Sequence, residues 1–168
     1  MEKALQVIKE ITRQGIIKAY AIGGGIAATY YIEPLLTYDL DIFFIPAKEG
    51  LDVLAPIYDY AREHGFSVQA ESILIEGFPV KFIPAYNDLV REAVEEATTL
   101  KYRDVEASVV TAEYLVAIAL ETGRAKDRER VIRLLEEADI DRAALRRILE
   151  TFGLANKFKK LEKQIDEE

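Results

Sequence analysis

The chain has 168 residues, 50% of them hydrophobic, which fits one domain, or one domain with a small appendage, around a sizeable core. It has no cysteine, so disulfides and thiolate metal sites are excluded; 22 basic against 30 acidic residues leave a net charge of −8, which repels nucleic acid globally but allows a local basic patch to bind phosphate. No apolar run approaches the roughly 18–20 residues of a membrane span. Met1-Glu2-Lys3-Ala4 leads into an amphipathic pattern without a signal peptide's apolar core, so the expectation is a cytoplasmic protein with no membrane partner.

Glu2 to Gln14 reads as a helix, with Leu5, Ile8 and Ile11 at helical spacing and Gly15 as the stop. Ile16 to Ile22 is a short apolar run, read as a buried strand. Gly23-Gly24-Gly25 follows, then a helical turn or short helix over Ile26 to Tyr31, interrupted by Pro34. Leu40 to Ile45 is a second strand, closed by Pro46. Leu51 to His64 is a helix in which Pro56 marks a late start or a kink. His64, the single histidine, sits at its end, where a solvated or C-terminal role is expected. Serine–histidine triads and histidine-based zinc sites are thereby set aside.

Phe66 to Ile75 and Phe78 to Ile83 read as two strands of a hairpin turning at Glu76-Gly77. Asn87 is positioned to cap a helix with Val90, Ala93, Val94 and Ala97 on its apolar face. Lys101 to Val110 is one strand or a pair of short ones. After Thr111 the pattern turns helical: Thr111 to Thr122 stopped by Gly123, Lys126 to Ala138, a third helix capped by Asp141 and ended by Gly153, and a fourth marked by Leu154, Phe158, Leu161 and Ile165. The expected architecture is a mixed α/β body over residues 1–110 and a C-terminal helical segment over 111–168.

Two features in the first quarter carry chemistry. On a strand, Asp39 and Asp41 share a face about 6.5–7 Å apart. Paired carboxylates repel and lose solvation if partly buried, and a divalent cation removes both costs. The spacing alone proves little, since Asp139-Ile140-Asp141 repeats it in what reads as a loop and helix cap. The glycines offer backbone N–H groups with nothing in the way, at the start of a helix, a combination that cradles phosphate. A tight turn is the plain alternative. Gly23, Gly25 and Ala28 also satisfy the dinucleotide pattern G-x-G-x-x-A. That reading needs an acid at the far end of the next strand, whereas Asp39 and Asp41 stand at its beginning.

Ile22-Gly23-Gly24-Gly25-Ile26-Ala27-Ala28 followed by Thr37-Tyr38-Asp39-Leu40-Asp41-Ile42 resembles the minimal bacterial and archaeal members of the DNA polymerase β-like nucleotidyltransferase superfamily, the AbiEii toxin type among them. Glu113-Tyr114-Leu115 and Gly123-Arg124-Ala125-Lys126-Asp127 are similar to their helical motif, so the resemblance spans about three-quarters of the chain. It implies a nucleotidyltransferase-like mixed sheet with flanking helices. It also implies transfer of a nucleoside monophosphate from a nucleoside triphosphate to an acceptor hydroxyl. Gly23, Gly24 and Gly25 would hold the triphosphate, Asp39 and Asp41 would hold Mg²⁺ or Mn²⁺, and Thr37 would brace the turn before them. Arg124 and Lys126 stand as phosphate contacts. A protein partner, as in a toxin–antitoxin-like pair, is a further implication.

The chain departs from that family at two places. The strand expected to supply a third carboxylate reads Pro79-Val80-Lys81-Phe82-Ile83, with Lys81 where the acid belongs. Lys81 could contact a phosphate, pair with Asp39 or Asp41 in place of the cation, or face solvent. Glu71 and Glu76 near the hairpin are the nearby acids, of undetermined register. In the helical motif, Ala119 and Arg130 stand where many relatives carry a lysine and an acid. Lys126, Arg130 and Arg133 are spaced along one side of a helix, which reads as a solvated basic face. Two functions follow: a metal-dependent nucleotidyltransferase, or a silent relative that binds a nucleotide or a protein.

Overall fold

A computed structural model describes residues 1–34, 37 and 39–168. Tyr38 of the quoted motif lies outside the described residues. In chain order the elements are α1 (Glu2–Arg13), β1 (Ile17–Ile22), α2 (Gly24–Ala28), β2 (Leu40–Pro46), α3 (Ala55–Glu63), β3 (Ser67–Gln69), β4 (Ser72–Ile75) and β5 (Phe78–Pro84). Then come α4 (Asp88–Glu95), β6 (Thr98–Tyr102), β7 (Val105–Val109), α5 (Ala112–Thr122), α6 (Ala125–Glu137), α7 (Arg142–Thr151) and α8 (Ala155–Glu167). The strands form one seven-stranded mixed sheet in the order β3-β4-β5-β2-β1-β7-β6. Among the described residues no helix is long and apolar enough to cross a membrane.

The centre of the sheet explains the composition of its strands. β2 lies between β1 and β5, and its residues Ile42 to Ile45 are all buried. A strand covered on both faces reads as a continuous apolar run, as Ile42-Phe43-Phe44-Ile45 does. β1 and β2 are antiparallel, with Ile22 opposite Ile42, while β2 and β5 are parallel, with Asp41 opposite Lys81. The antiparallel pairing of β1 with β2 excludes the dinucleotide reading of the glycines, because that motif joins parallel strands.

The helices bury most of what their periodicity predicts; Ala97 lies beyond α4 and is only partly buried, as are Phe158 and Ile165 in α8. α1 turns Ala4, Leu5, Ile8 and Ile11 inward, onto β1 and β7. α4 packs on β1 and β2, opened by Asn87, whose side-chain oxygen accepts the Val90 N–H at 2.9 Å. α5 is buried from Tyr114 to Leu120, and a helix apolar on every side belongs in an interior. It contacts α2, α4, α6 and α7, with its Tyr114 hydroxyl donating to Glu92 on α4 at 2.8 Å. Its side chains share one buried cluster with the sheet. Gly123 ends it in the left-handed conformation.

Three boundaries differ from the sequence reading or sharpen it. Pro56 sits in the first turn of α3, so it marks a late start, not a kink. The run Phe66 to Ile75 is not one strand: it folds back at Ala70-Glu71 into β3 and β4, with Ala70 at φ 51°. The segment before Val110 is a pair of strands, β6 and β7, the first beginning at Thr98. His64 ends α3, stacked on Tyr60 with ring centroids 3.8 Å apart, its Nδ1 2.9 Å from the Tyr60 carbonyl oxygen.

Candidate active site

The site forms where β1 runs out into the glycines and β2 begins. The Gly23 N–H donates to the Asp41 carbonyl at 2.9 Å, so the glycine run is laced to the aspartate strand through the backbone. Each glycine makes room for a different neighbour. A Cβ on Gly23 would overlap the Phe43 ring, and one on Gly24 would overlap the Asp41 carboxylate. One on Gly25 would stand 2.9 Å from the Thr37 hydroxyl oxygen. Gly24 also has φ +59°, which L side chains disfavour. Glycine is thus required by contact as well as by conformation, and α2 starts directly beneath Asp41.

A cavity of about 450 Å³ opens beside this turn. Gly25, Thr37, Asp39 and Asp41 line it from the glycine-to-aspartate stretch, Lys81 and Ile83 from β5, and Arg124, Lys126, Glu129 and Arg130 from α6. Of the residues expected to bind metal or nucleotide, Gly25, Thr37, Asp39, Asp41, Lys81, Arg124 and Lys126 are on the cavity wall; Gly23 and Gly24 are not, and stand against Phe43 and Asp41. Asp39 is exposed and Asp41 half-buried. Burial pushes the Asp41 carboxyl above the usual range; Lys81 opposes that shift, Asp39 adds to it by charge repulsion, and Arg130 and Lys126 oppose it.

Among the described residues Lys81 pairs with neither Asp39 nor Asp41, and it is only partly exposed. It stands opposite Asp41 in the parallel β2–β5 register, hence on the same face of the sheet. Its amine pairs with Glu71 Oε2 at 3.1 Å, from the turn between β3 and β4. Among the described residues, that is its ion pair. Glu76, by contrast, sits exposed in the β4–β5 turn at φ 51°.

The α6 wall is built around Asp127, whose side chain is only 2% exposed. Its Oδ2 accepts the Arg124 Nε–H at 2.7 Å and the Arg124 backbone N–H at 3.3 Å, capping the helix. Its Oδ1 lies 3.6 Å from Arg130 Nη1. One buried carboxylate thus orients two guanidinium groups towards the cavity. Arg130 is not on a solvated face: its side chain is 17% exposed, and its buried Nε has no hydrogen-bond partner among the described residues. Its Nη2 lies 3.6 Å from the position a Gly25 Cβ would take. Arg133, one turn on, is structural. Its Nη2 donates to the Glu33 carbonyl at 3.2 Å, it pairs with Glu137, and Glu137 accepts the Glu33 N–H at 2.9 Å.

The donor set decides which metal chemistry fits. Among the described residues no group of three acidic or histidine side chains could hold a cation by itself. Two carboxylates on a cation-rich cavity do suit Mg²⁺, which keeps waters and takes one or two carboxylates together with substrate phosphates. Sequence reasoning did not find Arg130 as a wall residue, nor Asp127 and Glu129 as parts of the site. Asp127 had a signal, since an acid three residues after a helix's first flank is a capping position. In the sequence Glu71 stands only as a nearby acid of undetermined register and Arg130 only on a basic helix face, because tertiary packing alone sets their partners.

No protein-family model matches the chain, and no curated protein matches it. Two solved structures resemble it along nearly its whole length. One is the antibiotic-resistance factor ANT(2'')-Ia, for which substrate-regulated conformation dynamics are described: TM-score 0.53, 14% identity, covering 98% of this chain and 96% of that one. The other is an antigenic nucleotidyltransferase-like protein from Paracoccidioides brasiliensis: TM-score 0.55, 14% identity, covering 96% of this chain and 91% of that one. With the mixed sheet and the helices around it, the chain has a nucleotidyltransferase-like fold.

Proposed function

We propose that the chain is a nucleotidyltransferase, binding a nucleoside triphosphate in the cavity between α2 and α6 and passing its nucleoside monophosphate to an acceptor oxygen. The observation that carries this reading is the opposition, across one cavity, of Asp39 and Asp41 to Arg124, Lys126 and Arg130. Three cations held at one helix suit the charge of a triphosphate, and Gly25 on the cavity wall lets its oxygens approach the backbone closely. Asp39 and Asp41 would hold Mg²⁺, which supplies neutralisation of the charge on the phosphates and on the departing pyrophosphate. Asp127 keeps Arg124 and Arg130 in place, so the cationic wall is formed in advance and little side-chain freedom is lost on binding.

The test combines binding with transfer. Calorimetric titration with ATP, GTP, CTP and UTP, with and without Mg²⁺, is expected to show a metal-dependent complex that Asp41→Ala abolishes. Incubation with labelled triphosphates and cell extract is expected to label an acceptor. Wild type indistinguishable from Asp41→Ala in both assays would sink the proposal.

The pairing of Lys81 with Glu71, where a third carboxylate was looked for, favours a second reading: nucleotide binding without turnover. It predicts a complex that is insensitive to metal and to Asp39→Ala, with no labelled acceptor.

A further inference from the structure

Lys81 and the order of the strands give the cavity two sides. β2 lies between β1, which leads to the glycines, and β5, which carries Lys81. Asp41 therefore stands with Gly24 against it on one flank and Lys81 opposite it on the other. Arg130 approaches Gly25, on the glycine flank. A triphosphate held there leaves the β5 flank, and Lys81, for the molecule that attacks it.

An attacking hydroxyl must lose its proton, and it needs a base beside it. The β5 flank presents an amine instead. Glu71, the carboxylate that reaches this amine, is 81% exposed on the β3–β4 turn and is engaged as its counter-ion. Glu129 belongs to α6, with the triphosphate-binding cations. An amine at this position is suited to a nucleophile that is already an anion, which needs no base and which a carboxylate would repel.

Building on the nucleotidyltransferase reading, we infer that the acceptor is a phosphate monoester, bound by Lys81 and attacking through its own anionic oxygen. A phosphate oxygen forms a bond to the α-phosphorus of the triphosphate. The bond from that phosphorus to the oxygen bridging to the β-phosphate breaks, and its electron pair leaves with pyrophosphate. No proton is transferred. The product is a phosphoanhydride joining the nucleoside monophosphate to the acceptor's phosphate. The Lys81–Glu71 pair does not block this, because exposed ion pairs contribute little and the amine, 39% exposed, is free to exchange one anion for another.

Benzyl phosphate and benzyl alcohol make a matched pair of probes. With a triphosphate and Mg²⁺, the full chain is expected to convert benzyl phosphate to a product whose anhydride phosphorus resonances are seen by NMR, and to use benzyl alcohol at least about ten-fold less well, since losing one charge-assisted contact costs about that factor. Lys81→Ala and Lys81→Gln raise the KM for benzyl phosphate about ten-fold while triphosphate affinity changes far less. Glu71→Gln lowers that KM. Equilibrium binding of benzyl phosphate to the unreacted protein weakens in the two Lys81 variants, independently of turnover. Transfer to benzyl alcohol as fast as to benzyl phosphate, or a benzyl phosphate KM indifferent to Lys81, overturns the inference. So does loss of alcohol transfer in Glu129→Gln, which would mark Glu129 as the base. Metal-dependent triphosphate binding with no transfer to either probe overturns the inference and leaves the nucleotide site standing. Absence of triphosphate binding removes the site itself.

Discussion

At the scale of single residues, the site is defined by how little space it leaves. Gly24 has a positive φ and the Asp41 carboxylate lies where its Cβ would be. Gly24→Ala is therefore expected to cost about 1–2 kcal/mol in urea unfolding, from the left-handed backbone alone. It also displaces Asp41, so metal-dependent triphosphate affinity falls more than stability does. Calorimetry beside the unfolding curve separates the two effects. Arg130 differs. Among the described residues its buried Nε has no partner, yet its Nη1 lies 3.6 Å from the buried Asp127 carboxylate. Arg130→Met keeps the length of the stem but takes a cation from that carboxylate, so the unfolding midpoint is expected to fall, with the Arg124 pair limiting the loss. Triphosphate affinity should also drop about ten-fold, the worth of one charge-assisted contact.

At the scale of elements, caps and turns decide what could be read in advance. Asn87 both accepts the Val90 N–H and donates to Glu121 Oε1 at 2.7 Å, tying the start of α4 to α5. Asn87→Ala is expected to lower stability by about 1–2 kcal/mol, measured by urea unfolding, with the nucleotide site unaffected. That cap was legible because it lies within four residues of its acceptor's partner. The same holds for Gly23-Gly24-Gly25, Asp39 and Asp41, whose meaning comes from a strand, a turn and a strand that are consecutive. The break at Ala70-Glu71 was not legible: neither residue is a usual turn former, and Ala70 adopts its positive φ without the glycine or asparagine that normally announces one. Missing that turn left the register of Glu71 open, because in a single strand from Phe66 to Ile75 it would have had no reason to meet Lys81. Arg130 was hidden differently. Its spacing with Lys126 and Arg133 is that of a helix face, and no periodicity tells which face is turned to a cavity and which to water.

At the scale of the whole molecule, sheet and helices are fastened at polar as well as apolar points. The Tyr31 hydroxyl donates to the Val110 carbonyl at 3.0 Å, joining the chain after α2 to the β7–α5 junction. Burial, first, and the charge of Glu113, second, push the Tyr31 phenol up from 10.0 to about 12. The folded chain thus favours the neutral phenol. This contribution is complete below pH 10 and disappears as pH rises through about 12. Ultraviolet titration of tyrosinate is expected to show several late-ionising groups, one of which Tyr31→Phe removes, and that variant should lose the corresponding fall in stability. A last consequence comes from the grip of Arg133 and Glu137 on the backbone of Glu33. Only six residues separate Glu33 from Leu40, and Thr37 and Asp39 are two of them. Asp39 therefore lies, along the chain, between a backbone point held by the helix that carries the cations and the first residue of β2. Removing that hold acts on Asp39 through the chain and not through a side chain of the cavity wall. Arg133→Ala, or salt acting on this exposed pair, should weaken metal-dependent binding by less than about five-fold, and a calorimetric titration of the variant at two salt concentrations should show the two effects replacing each other instead of adding.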